Sequence, residues 1–498
     1  KEMSLGKQQR LVLVVTILAS FVSFLDGSIV NVALPAIQHD LGGGLSAQQW
    51  VVDAYLLTLG SFILIAGSLS DLLGRKRILT LGLLGFGAAS LLCAVAPSST
   101  ALIIFRALQG VAGALLVPSS LAIIISTFSG AAQGKAIGTW TAWTGIAFVI
   151  GPLLGGFLVD SVSWRLIFAI NVVPITATLY LLRYVTVAKD QTKKATVDII
   201  GAALCALGLG GPVFALIEQP RYGWGDPLIY LPLGVGAIIF ITFLLYESRT
   251  KAPMLKLGLF RNHNFSVGNV ATLAIYAGLS VSTFLIVLFL QQVSHYSALK
   301  AGLAMLPVTI IMFLLSPRAG ALAGRYGPRF FMGVGPLIGG IGFLLVARLP
   351  LDFNYWTQLL PGIIVFGVGL SITVAPLTAA ILGDVPEGDA GIASAVNNAV
   401  ARVAGLVAVA AVGAIVALQF GNALSKDLCI PVSSSALQQA KQASLVTTPP
   451  KPYQNNASFK AALNSASVSG FHAGMNVTAG LVIAGGIISL IGIRNPKR

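Results

Sequence analysis

Long apolar segments alternate with short polar ones along the whole chain. Fourteen of these segments are long enough to cross a bilayer, because about 20 helical residues span its hydrocarbon core. Their approximate bounds are 11–35, 49–70, 78–96, 101–125, 134–160, 165–184, 198–217, 228–247, 266–292, 302–324, 331–347, 357–382, 390–420 and 469–493. The pattern therefore predicts an all-α membrane protein with fourteen transmembrane helices.

One polar segment is much longer than the others and covers residues 421–468, between the last two predicted helices. It contains "TTPPKPYQNN", and its prolines exclude a single continuous helix. Short helices or a hairpin are both compatible with the sequence. We interpret the segment as a solvated loop outside the membrane; a lid or a contact with a partner protein is the alternative.

The composition fits a membrane protein. Of the 498 residues, 56% are hydrophobic and 9% are charged, whereas soluble domains carry about 25% charged residues. The net charge of +15 alone would suggest nucleic acid binding, but Lys and Arg concentrate between alternate helices. The short loops on the other side hold just Arg165, Arg221, Lys300 and Arg348. This positive-inside bias predicts a multi-pass protein of the cytoplasmic (inner) membrane with both termini in the cytoplasm, and no nucleic acid partner.

A short sequence occurs twice in the chain. "GSLSDLLGRKR" (67–77) follows the second predicted helix, and "GALAGRYGPR" (320–329) follows the tenth. The copies are eight helices apart, so we place two extra helices between two pseudo-symmetric halves of six. The predicted domains are a bundle at 1–190, two linker helices at 191–260 and a second bundle at 261–498. Paired halves around a central substrate site are typical of secondary transporters.

Four motifs occur in order on the first half of the chain. The loop "GSLSDLLGRKRIL" resembles the signature of the major facilitator superfamily, and "RALQGVAGALLVPSS" (106–120) resembles that superfamily's helix-4 motif. "GIAFVIGPLLGG" (145–156) resembles its antiporter motif in helix 5, and "LDGSIVNVALP" (25–35) resembles the helix-1 motif of its fourteen-helix drug:proton antiporters. The resemblance covers nearly the whole chain and implies a major facilitator fold arranged as 6 + 2 + 6, with multidrug efflux as the activity.

The resemblance assigns a gating role to the loop after helix 2. The residues concerned are Gly67, Asp71, Gly74, Arg75 and Lys76. A carboxylate that faces a basic cluster can lock two helices in one conformation and release them in another. The alternative is that these charges set the topology of the chain without forming a gate.

The helix-5 motif removes side chains from part of its helix and bends it. The residues concerned are Gly145, Gly151, Pro152, Gly155 and Gly156. Small residues let membrane helices approach closely, and Pro152 removes a backbone hydrogen bond. In the resembling family this surface seals the two halves at one end, which ordinary close packing would require as well.

Asp26 lies inside an apolar segment, where a charge costs about 2.5–3.5 kcal/mol on insertion scales and is usually functional. Arg106 and Asp53 are predicted at a similar depth, so we expect one electrostatic site. A carboxyl that alternates between an Arg partner and isolation can release and bind a proton. The alternatives are a static Asp26–Arg106 pair and, for Asp53, an acid that merely suits a helix N-terminus.

Asn398 and Arg402 are four residues apart in the thirteenth predicted helix and share a helix face. Together with Asn397 and Gln109 they are the predicted lining of a substrate cavity. Some multidrug members of the resembling family that export dications carry acids on this helix. Asparagines and an arginine occur here instead, which leaves neutral, zwitterionic and anionic amphipaths open as substrates.

The sequence contains no nucleophile triad, phosphate-binding loop or metal-ligand spacing, so we predict a transporter without cofactor or metal, and not an enzyme. The predicted function is proton-coupled export of hydrophobic or amphipathic compounds, with the substrate, protons and membrane lipids as partners. The need for an adaptor protein stays open. The alternatives are a dedicated exporter or flippase of one lipid or metabolite, an uptake symporter, and a sensor that transports nothing.

Overall fold

The computed structural model describes residues 5–128, 136, 139–140, 143–144, 146–186, 197–251, 253–383, 385, 390–428, 432–442, 444–445, 447–451 and 453–495. Regular structure in this part of the chain is helical throughout, which confirms the all-α prediction. The helices are α1 (Leu5–Leu41), α2 (Gly44–Leu73), α3 (Arg75–Ala94), α4 (Ser99–Ala114), α5 (Leu116–Thr127), α6 (Ala147–Ser161), α7 (Leu166–Ala169), α8 (Val172–Leu182), α9 (Ile199–Tyr222), α10 (Pro227–Arg249), α11 (His263–Leu288), α12 (Ala298–Tyr326), α13 (Pro328–Val346), α14 (Leu360–Gly383), α15 (Ala390–Asp427), α16 (Ser434–Gln442) and α17 (Ala457–Gly492).

Twelve of the described helical segments are long and apolar enough to cross a membrane. The prediction of a helical protein with many membrane spans is therefore confirmed, whereas the number fourteen stays a prediction. The predicted span 165–184 forms a shorter apolar helix, Leu166–Leu182. The predicted span 134–160 is represented by a short apolar helix, Ile150–Ser161, because much of its first part falls outside the described residues.

The two copies of the repeated loop fold alike. Gly74 joins α2 to α3 with φ 95°, and the matching Gly327 joins α12 to α13 with φ 92°. Residues with a Cβ atom rarely adopt such angles. Each loop therefore needs its glycine to reverse the chain between two antiparallel helices.

Each repeated loop also uses its basic residue to hold the last helix of its own half. Lys76 Nζ donates to Val185 O, just after α8, at 2.8 Å. The matching Arg329 donates through Nε to Leu490 O in α17 at 2.6 Å. Both bonds satisfy carbonyl groups near a helix C-terminus. We call this end of the bundle, with Lys76 and Arg329, the basic end.

The two halves form separate bundles that meet along two seams. In the first half α1 packs against α6 and α2 against α4; in the second, α11 packs against α17 and α13 against α14. Between the halves, α6 contacts α12 and α2 contacts α15. The linker hairpin, formed by α9 and α10, packs through α9 against both α2 and α15, so it covers the second seam from the side.

The outward surface of the linker hairpin is apolar. Leu207, Ile238 and Ile241 are all more than half exposed. Exposed side chains of this kind, in helices with the length and composition of membrane spans, suit contact with lipid rather than water. The hairpin therefore lies at the periphery, outside both bundles.

The polar segment at 421–468 is more helical than a simple loop. α15 continues to Asp427, α17 begins at Ala457, and α16 lies between them. Two pairs of apolar residues spaced four apart lie on these extensions, and continued helix buries each pair on one face. The buried residues are Phe420, Leu424, Phe459 and Leu463. We call this end of the bundle the α16 end.

Candidate proton and substrate site

Asp26 lies in α1 and has no exposed surface. Its Oδ2 accepts a hydrogen bond from Arg106 Nη1 of α4 at 2.5 Å. Its Oδ1 accepts from Gln109 Nε2 at 2.9 Å and from Asn171 Nδ2 at 3.0 Å. Three donors therefore converge on one carboxyl, and each is a group that a carboxylate accepts.

Arg106 is the basic member of this site and is 1% exposed. Its Nη1 also donates to Gln109 Oε1 at 2.7 Å, and its Nε donates to Val51 O at 3.0 Å. The guanidinium carbon lies 4.2 Å from the centroid of the Tyr55 ring, in a cation–π contact. The structure thus brings Asp26 and Arg106 together; their part in proton coupling stays a prediction.

Sequence reasoning misses two members of this site, Ser90 of α3 and Asn171, which precedes α8. Ser90 Oγ accepts from Gln109 Nε2 at 2.8 Å and from Asn171 Nδ2 at 3.2 Å. Both residues are fully buried. Each is a single polar residue in an apolar segment, "GAASLLC" and "FAINVVP". An isolated polar residue of this kind is the sequence feature that could have indicated a place in the site. We call Asp26, Ser90, Arg106, Gln109 and Asn171 the Asp26 cluster.

Gln109 was assigned by sequence to the substrate cavity. The structure places it in the Asp26 cluster with no exposed surface. There its side chain bonds both charged members of the cluster, so it orients them.

Asp53 of α2 is buried without exposed surface, and neither carboxyl oxygen has a hydrogen-bond partner among the described residues. It therefore does not join the Asp26 cluster through a hydrogen bond. Tyr55, two residues further along α2, does contact that cluster through Arg106. The two acids consequently lie in different environments: among the described residues, three donors bond Asp26 and none bonds Asp53.

Arg402 of α15 is partly buried, and its guanidinium carbon lies 5.6 Å from the centroid of the Phe24 ring in α1. Within the described part of the chain, no carboxylate forms an ion pair with it; the ion pairs there join Asp26 with Arg106 and Asp40 with Arg165. Arg402 thus places a positive charge beside α1 of the first half.

The side chains of the two asparagines near Arg402 bond different helices. Asn397 Nδ2 donates to Thr272 Oγ1 at 2.9 Å and to Asn269 Oδ1 at 3.2 Å, both in α11. Asn398 Nδ2 donates to Ser394 O of its own helix at 3.2 Å. In this conformation Asn397 binds α15 to α11 within the second half, whereas Asn398 bonds its own helix.

The helix-5 motif makes close contacts with helices of both halves. Gly155 packs against α1, where an added Cβ would lie 2.6 Å from Ile29 Cγ1. Gly151 packs one turn earlier against Ser28. Gly156 packs against α12, where an added Cβ would lie 2.5 Å from Leu299 Cα.

The contact with α12 is reciprocal. A Cβ added at Gly302 would lie 2.6 Å from Pro152 O, so small residues on both helices allow the approach. Gly145, the first residue of the motif, lies outside the described residues. The described part of the motif thus joins α6 to both halves.

Polar contacts strengthen the same seam at the α16 end. Asp160, at the end of α6, accepts from the backbone N–H groups of Ala298 at 3.0 Å and Leu299 at 2.8 Å. A carboxylate at a helix N-terminus is favoured by the helix dipole. Gln292 Nε2 donates to Gln38 Oε1 at 2.6 Å. The halves are therefore joined at the α16 end.

The loop motif at the basic end is described in part. Gly67 and Asp71 belong to α2, but the surroundings of Gly67 and the side chain of Asp71 lie outside what the structure describes. Gly74 has the left-handed angle given above, and Arg75 begins α3. Lys76 bonds the end of α8, so in this conformation it stabilises its own half.

A family model described as Major Facilitator Superfamily matches residues 16–409 of this chain. The chain belongs to the major facilitator superfamily. Several known proteins are similar in sequence to this chain. The multidrug transporter protein MdtP of Bacillus subtilis (strain 168) is 33% identical to it over 439 residues, which cover 87% of this chain and 80% of MdtP. The methylenomycin A resistance protein of the same strain is 34% identical over 413 residues, covering 82% and 87%.

A solved structure supports the fold of this superfamily member. A bacterial homologue of the human lysosomal transporter Spinster, in an inward-facing and unoccupied conformation, aligns with a TM-score of 0.66 and 16% identity over 97% of each chain. The major facilitator protein described here is thus a multi-pass membrane transporter and not an enzyme, which confirms those two predictions from the sequence.

Proposed function

We propose that this protein is a proton-coupled antiporter that exports hydrophobic or amphipathic compounds across the cytoplasmic membrane, and that Asp26 binds and releases the proton. The similar proteins named for multidrug transport and for methylenomycin A resistance support export of small organic compounds. The observation that carries the proton site is the fully buried Asp26–Arg106 pair in the first half.

The pair links protonation to helix position. When one partner of a buried ion pair is neutralised, the other is left as an uncompensated charge, which is strongly destabilising. A proton on Asp26 would do this to Arg106 and weaken the contact between α1 and α4. The site then favours one arrangement of these helices with the proton bound and another without it.

Asp53 supports a second protonation step. An isolated buried charge is costly, and a proton removes the charge from Asp53. In the conformation described here we therefore assign the ionised form to Asp26 and the neutral form to Asp53. Tyr55, on the same helix as Asp53, contacts Arg106 and connects the two acids.

We propose that this conformation is closed to the outside and opens to the cytoplasm. The α6–α12 seam and Asp160 join the halves at the α16 end, and the positive-inside bias places the basic end and both termini in the cytoplasm. In this proposal Gly145, Gly151, Pro152, Gly155 and Gly156 form the outer seal. The loop of Gly67, Asp71, Gly74, Arg75 and Lys76 forms the inner gate.

We also propose fourteen spans in the order 6 + 2 + 6. The two shorter apolar helices of the first half, Ile150–Ser161 and Leu166–Leu182, added to the twelve long ones, support this number. The peripheral position of the linker hairpin supports its assignment as an extra pair between bundles at 1–190 and 261–498.

Arg402 sets the class of substrate in this proposal. Its charge has no ion-pair partner among the described residues and lies beside the Phe24 ring, with Asn398 one turn away. A positive charge next to an aromatic ring suits an amphipath that is neutral or negatively charged and has an apolar part. Membrane lipids surround the site and can deliver such compounds.

The test is efflux from energised cells that express the wild type, Asp26→Asn or an empty vector, with and without a protonophore. Three fluorescent amphipaths, one cationic (ethidium), one neutral and one anionic, report both activity and charge preference. We expect wild-type efflux above the vector, collapse with the protonophore, and loss of efflux in a normally expressed Asp26→Asn protein.

The preference among the dyes separates the alternatives. Efflux of the neutral or anionic dye, reduced by Arg402→Gln, would support the assigned cavity. Wild-type efflux equal to the vector for every dye would contradict broad export and favour a dedicated exporter of one lipid or metabolite. Efflux that continues unchanged with the protonophore would contradict proton coupling.

A further inference from the structure

A second pair of acids lies at the basic end of the linker hairpin, outside the Asp26 cluster. Asp198 precedes α9 and Glu247 lies in the last turn of α10; they are 7% and 2% exposed. One oxygen of each is bonded: Asp198 Oδ1 accepts from Gly201 N at 2.7 Å, and Glu247 Oε2 accepts from Leu255 N at 2.8 Å.

The other oxygen of each acid points at its neighbour. Asp198 Oδ2 and Glu247 Oε1 are buried and have no donor among the described residues. A Cβ atom added at Gly201 would lie 2.6 Å from Asp198 Oδ2 and would overlap Glu247 Oε1 as well, so both oxygens border the same small space. The two carboxyl groups are therefore close neighbours. Two carboxyl oxygens are both acceptors when ionised, so they bond only through a proton.

The two helix ends decide which acid carries that proton. Asp198 caps the N-terminus of α9, where the helix dipole favours a negative charge, whereas Glu247 lies at the C-terminus of α10, where the dipole disfavours one. The two helix ends therefore favour a proton on Glu247, whose O–H can then donate to Asp198.

The charged groups near Asp198 and Glu247 line two clefts, one on each side of the pair. A cleft of about 610 Å³, lined by Glu247, Lys256 and Arg261, opens on one side. A second cleft of about 260 Å³, lined by Asp198, Tyr246 and Lys251, opens on the other. Neither acid belongs to the ion pairs found between described residues. The side of α9 towards α2 and α15 is formed by Cys205 and apolar residues. Water in the clefts can thus bring protons to the pair, while no described cation neutralises it.

We propose that Asp198 and Glu247 share one proton and form a proton-binding site at the basic end of the linker hairpin. The site joins three segments, because Glu247 also holds Leu255 on the connection to the second half. Loss of the proton leaves two neighbouring charges and loosens the hairpin from that connection. This proposal stands apart from the proposed function, since the Asp26 cluster takes no part in it.

The test is thermal unfolding of the purified full-length protein in detergent as a function of pH. The folded pair retains one proton that the unfolded chain releases, so stability is highest at low pH and falls as pH rises through the titration of the pair. One proton changes the folded-to-unfolded ratio by up to about tenfold per pH unit. Glu247→Gln supplies a permanent N–H donor to Asp198, so we expect it to keep its stability at high pH and to lose this part of the pH dependence.

Glu218→Gln is the matched control. Glu218 lies at the other end of α9, where its Oε1 accepts from Ser46 Oγ at 2.8 Å and from Trp50 Nε1 at 2.9 Å, so the variant should keep the wild-type pH slope. If Glu247→Gln unfolds on purification, the infrared band of a protonated carboxyl gives a second readout. The component of that band that belongs to Glu247 should titrate in the wild type and shift in frequency in Asp198→Asn, whereas the component of neutral Asp53 should stay unchanged.

Two results would overturn the proposal. One is a Glu247→Gln profile parallel to the wild type over the whole pH range. The other is a wild-type transition that shifts with Na⁺ or Mg²⁺ at fixed pH, because a cation would then occupy the place assigned to the proton.

Discussion

The two halves of this transporter bury different kinds of side chain. The first half encloses a buried ion pair with its amide and hydroxyl partners, the Asp26 cluster. The second half is packed with aromatic rings, among them Phe289 and Phe471, which stack with centroids 4.0 Å apart. Its central polar residues are neutral, as in the Asn397–Thr272 bond, except for Arg402, which has no ion-pair partner among the described residues.

The contrast indicates that the two repeated halves have different roles in transport. The repeated loops fold alike in both halves, so the shared features lie in the backbone and in the basic residues at the basic end. Among the described residues of the two bundles, fully buried carboxyl groups occur in the first half alone, as Asp26 and Asp53. The second half contributes the positive charge of Arg402 and a core of packed aromatic rings.

The largest effect should come from removing the basic member of the Asp26 cluster. Arg106→Ala leaves a buried carboxylate unpaired, which destabilises a protein by about 3–5 kcal/mol. Arg402→Ala in the second half removes a cation–π contact worth about 0.5–1 kcal/mol. Thermal unfolding in detergent measures both. Equal losses for the two variants would contradict the contrast between the halves.

The next largest effect concerns the seam between the halves. Gly156→Ala places a Cβ 2.5 Å from Leu299 Cα, and overpacking of this kind costs about 1–3 kcal/mol. We expect reduced efflux as well, since the α16 end can no longer close. Gly480→Ala in α17 is the control, because a Cβ there meets nothing within 4 Å. Full activity of Gly156→Ala would contradict the assigned seal.

A smaller effect separates the polar residues of the two halves. Asn171→Ala removes one donor from Asp26, and Asn397→Ala removes the bond between α15 and α11. Each should cost about 1–3 kcal/mol, because a buried partner is left unsatisfied. Asn171→Ala alone should also move the pH profile of efflux, since it changes the surroundings of Asp26. A shift of the same size in Asn397→Ala would argue against a proton site confined to the first half.

The smallest effects are expected at the basic end. Lys76→Ala and Arg329→Ala each remove side-chain bonds to carbonyl groups at the end of the last helix of a half, and such exposed charged contacts contribute about 0–1 kcal/mol. Because the repeat places them equivalently, we expect similar losses of thermal stability. A much larger loss of efflux in Lys76→Ala at equal stability would show that the first loop has a gating role that the second lacks.

The sequence predicts most of the fold for two reasons. The length of the apolar segments indicates the membrane helices, and the repeated glycines indicate the loops that reverse the chain. Gly74 and Gly327 align in the repeat and adopt the same angle. The limits of α15 and α17 are harder to predict, since the overall polarity of 421–468 hides Leu424 of α15 and the pair Phe459 and Leu463 of α17, which are spaced for one helix face.

The sequence predicts the charged residues of the candidate site better than their neutral hydrogen-bond partners. Asp26 and Arg106 can be matched by depth, because a charge in an apolar segment needs a partner. Ser90 and Asn171 carry no charge, and their contacts depend on how α3 and α8 rotate, which periodicity does not determine. The orientation of Asn397 towards α11 depends on packing in the same way.

The central claim is that Asp26 exchanges the proton that drives transport. The direct test is the internal pH of proteoliposomes, read with an enclosed dye, after a gradient of an exported compound is imposed. We predict that the compound drives protons in the opposite direction in the wild type. Asp26→Asn should let the compound equilibrate without moving protons. Proton movement at the wild-type rate in Asp26→Asn would contradict the account.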